Sequence, residues 1–343
     1  MFVHAAKTIA RQWINQNTNH IAGFGGAFFH GSINWLPDDA VLPASSDVDV
    51  MLIFDNPPPV KLGKFVHRGL LLEVSHLPTS EVQSAEQLLG QYHLASSFRV
   101  DNIIVDPNGR LRSIQAAVAL EFTKRAWVTK RCEHAFDKVI KNLATLDAMS
   151  PFHIQVMTWL FATGVMTHVL LVADLRNPTV RTRYVAVRAL LDRIDRLDVH
   201  EALLRLQGSA QISHSQVEQH LIELTNVFDA AKEVITTPIF FASDISDAAR
   251  PISIEGSWDL IECGFHREAI FWIVATYARC MHIFHVDAPH LEQKFEAGFQ
   301  RVMGNLGIDS SEDICVRRTV VEAYMPKLWS MAEAVMDANS EIL

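Results

Sequence analysis

The chain is short of several things that would assign a class at once. Its four cysteines, Cys132, Cys263, Cys280 and Cys315, are widely spaced and form no C-x-x-C pair, which weighs against a disulfide framework. No apolar run opens the sequence, because Lys7 and Arg11 interrupt the N-terminal segment, so no secretory signal is expected. Together these absences predict reduced thiols and a cytoplasmic protein. Excess positive charge is also missing: 30 Lys and Arg stand against 39 Asp and Glu, a net charge of −9. That balance disfavours a nucleic-acid partner, which needs a broad basic surface, although it is compatible with a local basic groove. There are no internal repeats and no low-complexity tracts. The long uncharged apolar stretch, Val156 to Ala173, carries Thr158, Thr163, Gly164, Thr167 and His168 and is read as a buried helix rather than a membrane span.

What is present is more specific. With 343 residues and 49% hydrophobic side chains, the chain can build two domains with substantial cores. Its most informative stretch, His30 to Asp49, joins a Gly31-Ser32 step to an Asp47-x-Asp49 step, followed directly by the strand-like run Val50-Met51-Leu52-Ile53-Phe54. Side chains on a strand alternate faces, so Asp47 and Asp49 share one side while Val48, Val50 and Leu52 share the other. Two carboxylates so close repel unless a cation lies between them, and oxygen ligands of this kind suit Mg²⁺ or Mn²⁺. A third carboxylate, Glu73, interrupts the apolar run Gly69-Leu70-Leu71-Leu72-Glu73-Val74, a costly position without a metal or a hydrogen-bonding partner. The glycine of Gly31-Ser32 permits close backbone approach, and free N–H groups after it can hold phosphate oxygens.

Gly31-Ser32, then Ser46-Asp47-Val48-Asp49, then Glu73 in a Leu-Glu-Val setting, in that order, resemble the DNA polymerase β-type nucleotidyltransferase superfamily. The branch they resemble is that of the aminoglycoside-nucleotidyltransferase-like and minimal nucleotidyltransferases. The resemblance covers residues 18–110, and its interval between Gly-Ser and Asp-x-Asp is longer than in small members, with Pro37 ending a short helix. It implies a Mg²⁺-dependent enzyme that transfers a nucleoside monophosphate, AMP from ATP foremost, to a hydroxyl of a small molecule such as an aminoglycoside-like compound. In that scheme Asp47 and Asp49 hold two Mg²⁺ ions, and Glu73 completes the metal site or acts as general base. Gly31, Ser32 and Ser46 bind phosphates, and Lys124 or Arg131 offsets the charge of the triphosphate. Two alternatives share the fold: a protein-modifying nucleotidyltransferase that AMPylates a partner protein, and a non-catalytic nucleotide-binding sensor. The motifs do not select the acceptor or the oligomeric state.

The expected fold is α+β, a small mixed-sheet nucleotidyltransferase domain over residues 1–112 followed by a larger all-α substrate domain over 113–343, with the site in the cleft between them. An amphipathic helix is predicted over 5–14 and strands over 21–29, 47–54, 65–76 and 102–105. The stiff connector Asn56-Pro57-Pro58-Pro59 follows the second strand, and a helix capped by Ser80-x-x-Gln83 runs to about Leu94. Beyond Arg112 helical periodicity dominates, with a subdivision at Gly208 to Ser215 and a loop from Thr236 to Ser257. Arg176, Arg181, Arg183, Arg188, Arg193 and Arg196 read as a solvated helix face. His30 reads as a strand-end histidine. Cys280-x-His282-x-x-His285 matches no strong zinc spacing, and Trp258, Asp259, Glu262 and Glu268 read as an amphipathic helix rather than an acceptor pocket.

Overall fold

The computed structural model describes residues 1–343 apart from Asn19, Pro59 and Val60, so the last proline of the connector lies outside the described residues. Strand-like runs of the first third form β1 (Phe24–His30), β2 (Val48–Phe54), β3 (Gly63–His67), β4 (Leu70–Pro78) and β5 (Ile103–Val105). They make one mixed sheet in the order β3-β4-β2-β1-β5, with β2 and β4 parallel and the other neighbours antiparallel. The α+β expectation holds.

Two expected elements differ. The single strand over 65–76 is a hairpin, β3 and β4, turned by Arg68 (φ 51°) and Gly69 (φ 75°). Two consecutive left-handed residues are what a tight two-residue hairpin needs, and the apolar residues on either side masked the turn. The helix expected from Ser80 is the short α2 (Ala85–Leu89), and its cap is Ser84, whose hydroxyl accepts from the Gln87 N–H at 3.2 Å. Ser84-x-x-Gln87 repeats the capping pattern four residues later, and Ser80 lies in a 3₁₀ turn before it.

The alternation of the strands decides what each sheet face meets. Ala27, Phe29, Val48, Val50, Leu52, Leu70, Leu72 and Val74 form a small core with Val3, Ala6, Ala10 and Ile14 of α1 (Val3–Asn17). The opposite face, with Phe28, Ile53 and Leu77, belongs to the same continuous core as the helices. Those helices are α3 (Arg110–Glu121), α4 (Arg125–Ala144), α5 (Phe152–Ala173), α6 (Arg183–Arg193), α7 (Leu197–Gln207), α8 (His214–Val234), α9 (Gly256–Glu262), α10 (His266–Asp287), α11 (Pro289–Asn305) and α12 (Ser311–Ala338). The change to helix thus falls close to residue 112, but apolar packing runs across it. It also runs across the break at Gly208, since Leu203 and Leu204 share a core with Val217 and Leu221. The loop expected to end at Ser257 closes earlier, in a π-helical turn over Pro251–Glu255 that leads straight into α9.

Helices α5 and α10 form the centre of the helical half. Both are long and apolar enough to cross a membrane, and in each the most apolar window is 83% buried inside the fold. The sequence singled out only α5, because Glu268 and Arg279 interrupt α10; both are buried. The arginine-rich segment is likewise less solvated than expected. Arg183 is buried, donates to the Val180 carbonyl at 2.7 Å and stacks its guanidinium 4.0 Å from the Phe271 ring centre. Arg193 and Arg176 converge on the buried Asp174.

Burial leaves several histidines neutral. His168 donates from Nε2 to the Thr179 carbonyl at 2.7 Å, while its Nδ1 is buried without a partner. Burial and the nearby Arg183 push its pKa down to about 3, and His153 is pushed to about 3 by burial and by His282 and His285. A lowered folded-state pKa means that the unfolded chain takes up the proton first. The stability these groups contribute is complete above about pH 6.5 and is lost as pH falls towards 3. For His168 alone the loss between pH 7 and pH 5 is about 2 kcal/mol. The urea midpoint is therefore expected to drop over this range, and His168→Gln, whose amide can still reach Thr179, should flatten the drop. An unchanged pH slope in that variant would remove His168 from the account.

Candidate metal centre

The parallel pairing of β2 and β4 places Asp49 directly beside Glu73, and Asp47 precedes β2 with the same facing. All three point from the sheet face that meets the helical half. One oxygen from each of Asp47, Asp49 and Glu73 lies within 4.8 Å of the others, the one such convergence of three or more His, Cys, Asp or Glu ligands among the described residues. A divalent cation could be held there, and an all-carboxylate set fits Mg²⁺ or Mn²⁺.

Packing carboxylates this tightly has a measurable electrostatic cost. Burial lifts the Asp49 pKa well above the usual carboxylate range, and the charges of Asp47 and Glu73 add to the effect. Asp47 is raised as well, mainly by burial, with Lys64 opposing. Glu73 goes the other way: burial would raise it, but Lys64 and Lys61 outweigh that and hold it at about 2. Lys61 reaches Glu73 Oε1 at 2.5 Å, and Lys64 binds Glu73 Oε2 while lying 3.2 Å from Asp47 Oδ2. Lys64 also contacts Asp244 of the helical half at 3.0 Å, and Arg279 pairs with the other oxygen of Asp244 at 3.3 Å. Asp49 is the one member of the triad without an ion pair to a described residue.

Gly31 explains why the turn and the aspartates are found together. It opens a short 3₁₀ turn, Gly31–Asn34, with φ +65°, and any Cβ there would collide with the Asp49 carboxylate. Its neighbour Ser32 is exposed and borders a cavity of about 560 Å³. The walls of that cavity include Trp35, Arg99, Asn177, Thr179 and the Asp174–Arg176–Arg193 cluster. Ser46 is half-buried, with its N–H donating to the Pro43 carbonyl. The adjacent Ser45 makes the long-range contact, donating to Asp259 Oδ2 at 3.1 Å, and Arg181 donates to the carbonyls of Ser45 and Gly256. His30 donates to or accepts from Ser97 at 2.8 Å and is kept neutral by burial, its pKa lowered to about 4.

Lys124 and Arg131, expected to meet phosphate, are engaged elsewhere. Lys124 precedes α4 and pairs with Glu121 at 2.6 Å in an exposed position. Arg131 is buried, donates to the carbonyls of Leu89 and Phe122 and lies 4.1 Å over the Phe122 ring. Seven-residue spacing assumes that both lie on one helix, but Lys124 stands before α4 in extended backbone, and Arg131 turns inward against Phe122 and Leu89. The cations at the triad are Lys61 and Lys64, with Arg279 behind them. Their signal in the sequence was the strand Gly63-Lys64-Phe65, which sets Lys64 opposite Glu73 once the Arg68-Gly69 turn is recognised.

Two other expectations resolve clearly. Cys280 is buried apart in the core, whereas His282 meets His153 at 3.3 Å and His285 meets Glu292 at 3.1 Å. Trp258, Asp259, Glu262 and Glu268 do not form one wall: Glu268 is buried near Arg188 and His200, and Glu262 is exposed. No protein-family model matches the chain, and no curated protein matches it.

Removing the charge of Asp49 should stabilise the metal-free fold, because its raised pKa makes the ionised form a burden at neutral pH. In EDTA at pH 8, Asp49→Asn is expected to melt above wild type. Adding Mg²⁺ or Mn²⁺ should raise the Tm of wild type and leave the variant almost unmoved. An equal metal response in both proteins would exclude Asp49 as a ligand. Gly31→Ala, by contrast, should destabilise strongly with or without metal, since both its φ and the Asp49 carboxylate oppose a side chain.

Proposed function

We propose that the protein is a Mg²⁺-dependent nucleotidyltransferase that moves a nucleoside monophosphate, AMP from ATP in the favoured case, onto a hydroxyl of a small molecule such as an aminoglycoside-like compound. The observation that carries this reading is the convergence of Asp47, Asp49 and Glu73 within 4.8 Å, directly against the backbone of Gly31. In the reaction proposed, the acceptor hydroxyl gives up its proton to solvent water as its oxygen bonds to the α-phosphorus, and the bond to pyrophosphate breaks. A divalent ion held at this centre would supply positive charge at the phosphate oxygens.

The chain's own groups would do the rest. Ser32 and the free N–H groups of its turn would bind phosphate oxygens. Arg99, Arg176 and Arg193 on the cavity that Ser32 borders favour a polyanionic ligand, partly balanced there by Asp174 and Glu341. Glu73 is better suited to holding a cation than to taking a proton, because both of its oxygens are paired with lysines. The acidic net charge agrees with a cationic acceptor.

Incubating the purified protein with Mg²⁺, each α-labelled nucleoside triphosphate and an aminoglycoside panel should yield a labelled small molecule and pyrophosphate. Asp47→Asn or Asp49→Asn should lower that turnover by at least about 10²-fold, the scale expected when transition-state charge loses its support. Turnover near wild type in both variants would take the triad out of the mechanism. Label found on a protein instead would favour the AMPylating alternative, and nucleotide binding without any transfer would favour the sensor.

A further inference from the structure

The amine of Lys64 has an unusual position. Lys64 stands opposite Glu73 in the β3–β4 hairpin, and its side chain is only 8% exposed. Its ammonium lies within ion-pair distance of three carboxylates, Asp47 Oδ2 at 3.2 Å, Asp244 Oδ1 at 3.0 Å and Glu73 Oε2, to which it also donates a hydrogen bond. An ammonium surrounded in this way by acidic oxygens is placed as a bound cation would be. The hairpin register holds it there from the sheet side, and Asp244, anchored by Arg279 at 3.3 Å, holds it from the helical side.

The remaining oxygens show where a metal could still enter. Both oxygens of Glu73 are paired with lysines, one with Lys61 at 2.5 Å and the other with Lys64. One oxygen of Asp47 faces Lys64. The second oxygen of Asp47 and both oxygens of Asp49 have no ion pair to a described residue. A first divalent ion can bind against Asp49 and Asp47 without disturbing either lysine. A second would have to displace the Lys64 ammonium, which is largely buried and whose ion-pair partners among the described residues are these three carboxylates.

We propose that Lys64 permanently fills one of the two cation positions of this centre, so that the protein binds a single divalent ion, at Asp49 and Asp47. The inference rests on the triad being a metal centre, and it replaces the two ions that the superfamily resemblance implies. Lys64 acts here as a positioning residue: it neutralises Asp47 and Glu73, and through Asp244 it ties the sheet to the helical half at the site.

The test counts ions rather than activity. Metal-free full-length protein is titrated with Mn²⁺, with free Mn²⁺ followed by electron paramagnetic resonance and binding heats by calorimetry. Wild type is expected to bind one Mn²⁺ per chain at saturation, and Lys64→Met, which keeps the stem and removes the charge, two. Because Lys64→Met strands three carboxylates, the double variant Lys64→Met with Asp244→Asn serves if the single one does not fold, and it too should bind two. Two ions in wild type would overturn the proposal, as would one ion in a folded Lys64 variant. No Mn²⁺ bound by wild type would sink the metal centre itself, an outcome distinct from the other two.

Discussion

Repulsion among three carboxylates is the constraint around which the sheet end of the molecule is arranged. Charges within 4.8 Å of one another oppose by about 3 kcal/mol per pair at an effective dielectric constant of about 20. The parallel pairing of β2 and β4 sets Asp49 beside Glu73, and Asp47, two residues before Asp49, faces the same way. The surroundings answer that stress. Lys61 and Lys64 come from the segment beside β4, and the lysines protect Glu73 and Asp47 while Asp49 is left without an ion pair to a described residue. The fold carries a local instability at one carboxylate and compensates the other two.

The same stress reaches into the helical half. Asp244 and Arg279 extend the chain of alternating charges from β4 through Lys64 to α10. A second tie lies on the other side of the centre, where Arg181 clasps the carbonyls of Ser45 and Gly256, and Ser45 donates to Asp259. Charged and polar contacts thus flank the triad, with apolar packing beyond them. A cation entering near Asp49 would be felt by both halves, because the residues that respond to its charge belong to both.

Much of this was legible in the sequence, and the reasons are physical. Period-two alternation put Asp47 and Asp49 on one face, and a lone glutamate in an apolar run announced Glu73; both inferences need only local geometry. The hairpin was not legible because His67-Arg68-Gly69 interrupts the apolar pattern for three residues only, and without the hairpin Lys64 could not be set against Glu73. Asp244 carries no local mark at all, since its contact with Lys64 spans 180 residues of chain, and Arg279 takes its role only through Asp244. Lys124 and Arg131 show the opposite error. The helix begins one residue too late for Lys124, and charge alone did not reveal that Arg131 is used up on two backbone carbonyls and an aromatic ring.

The two faces of the sheet have unequal independence. One is closed by α1 within the first third of the chain, whereas the other shares Phe28, Ile53 and Leu77 with the helices. The first third is therefore not an exchangeable module. A different helical partner joined at residue 112 would have to reproduce an apolar surface fitted to those side chains as well as the Asp244 contact to Lys64. In the cavity beside Ser32 the wall at Trp35 lies outside that shared core, so it can change without opening the packing between the two halves.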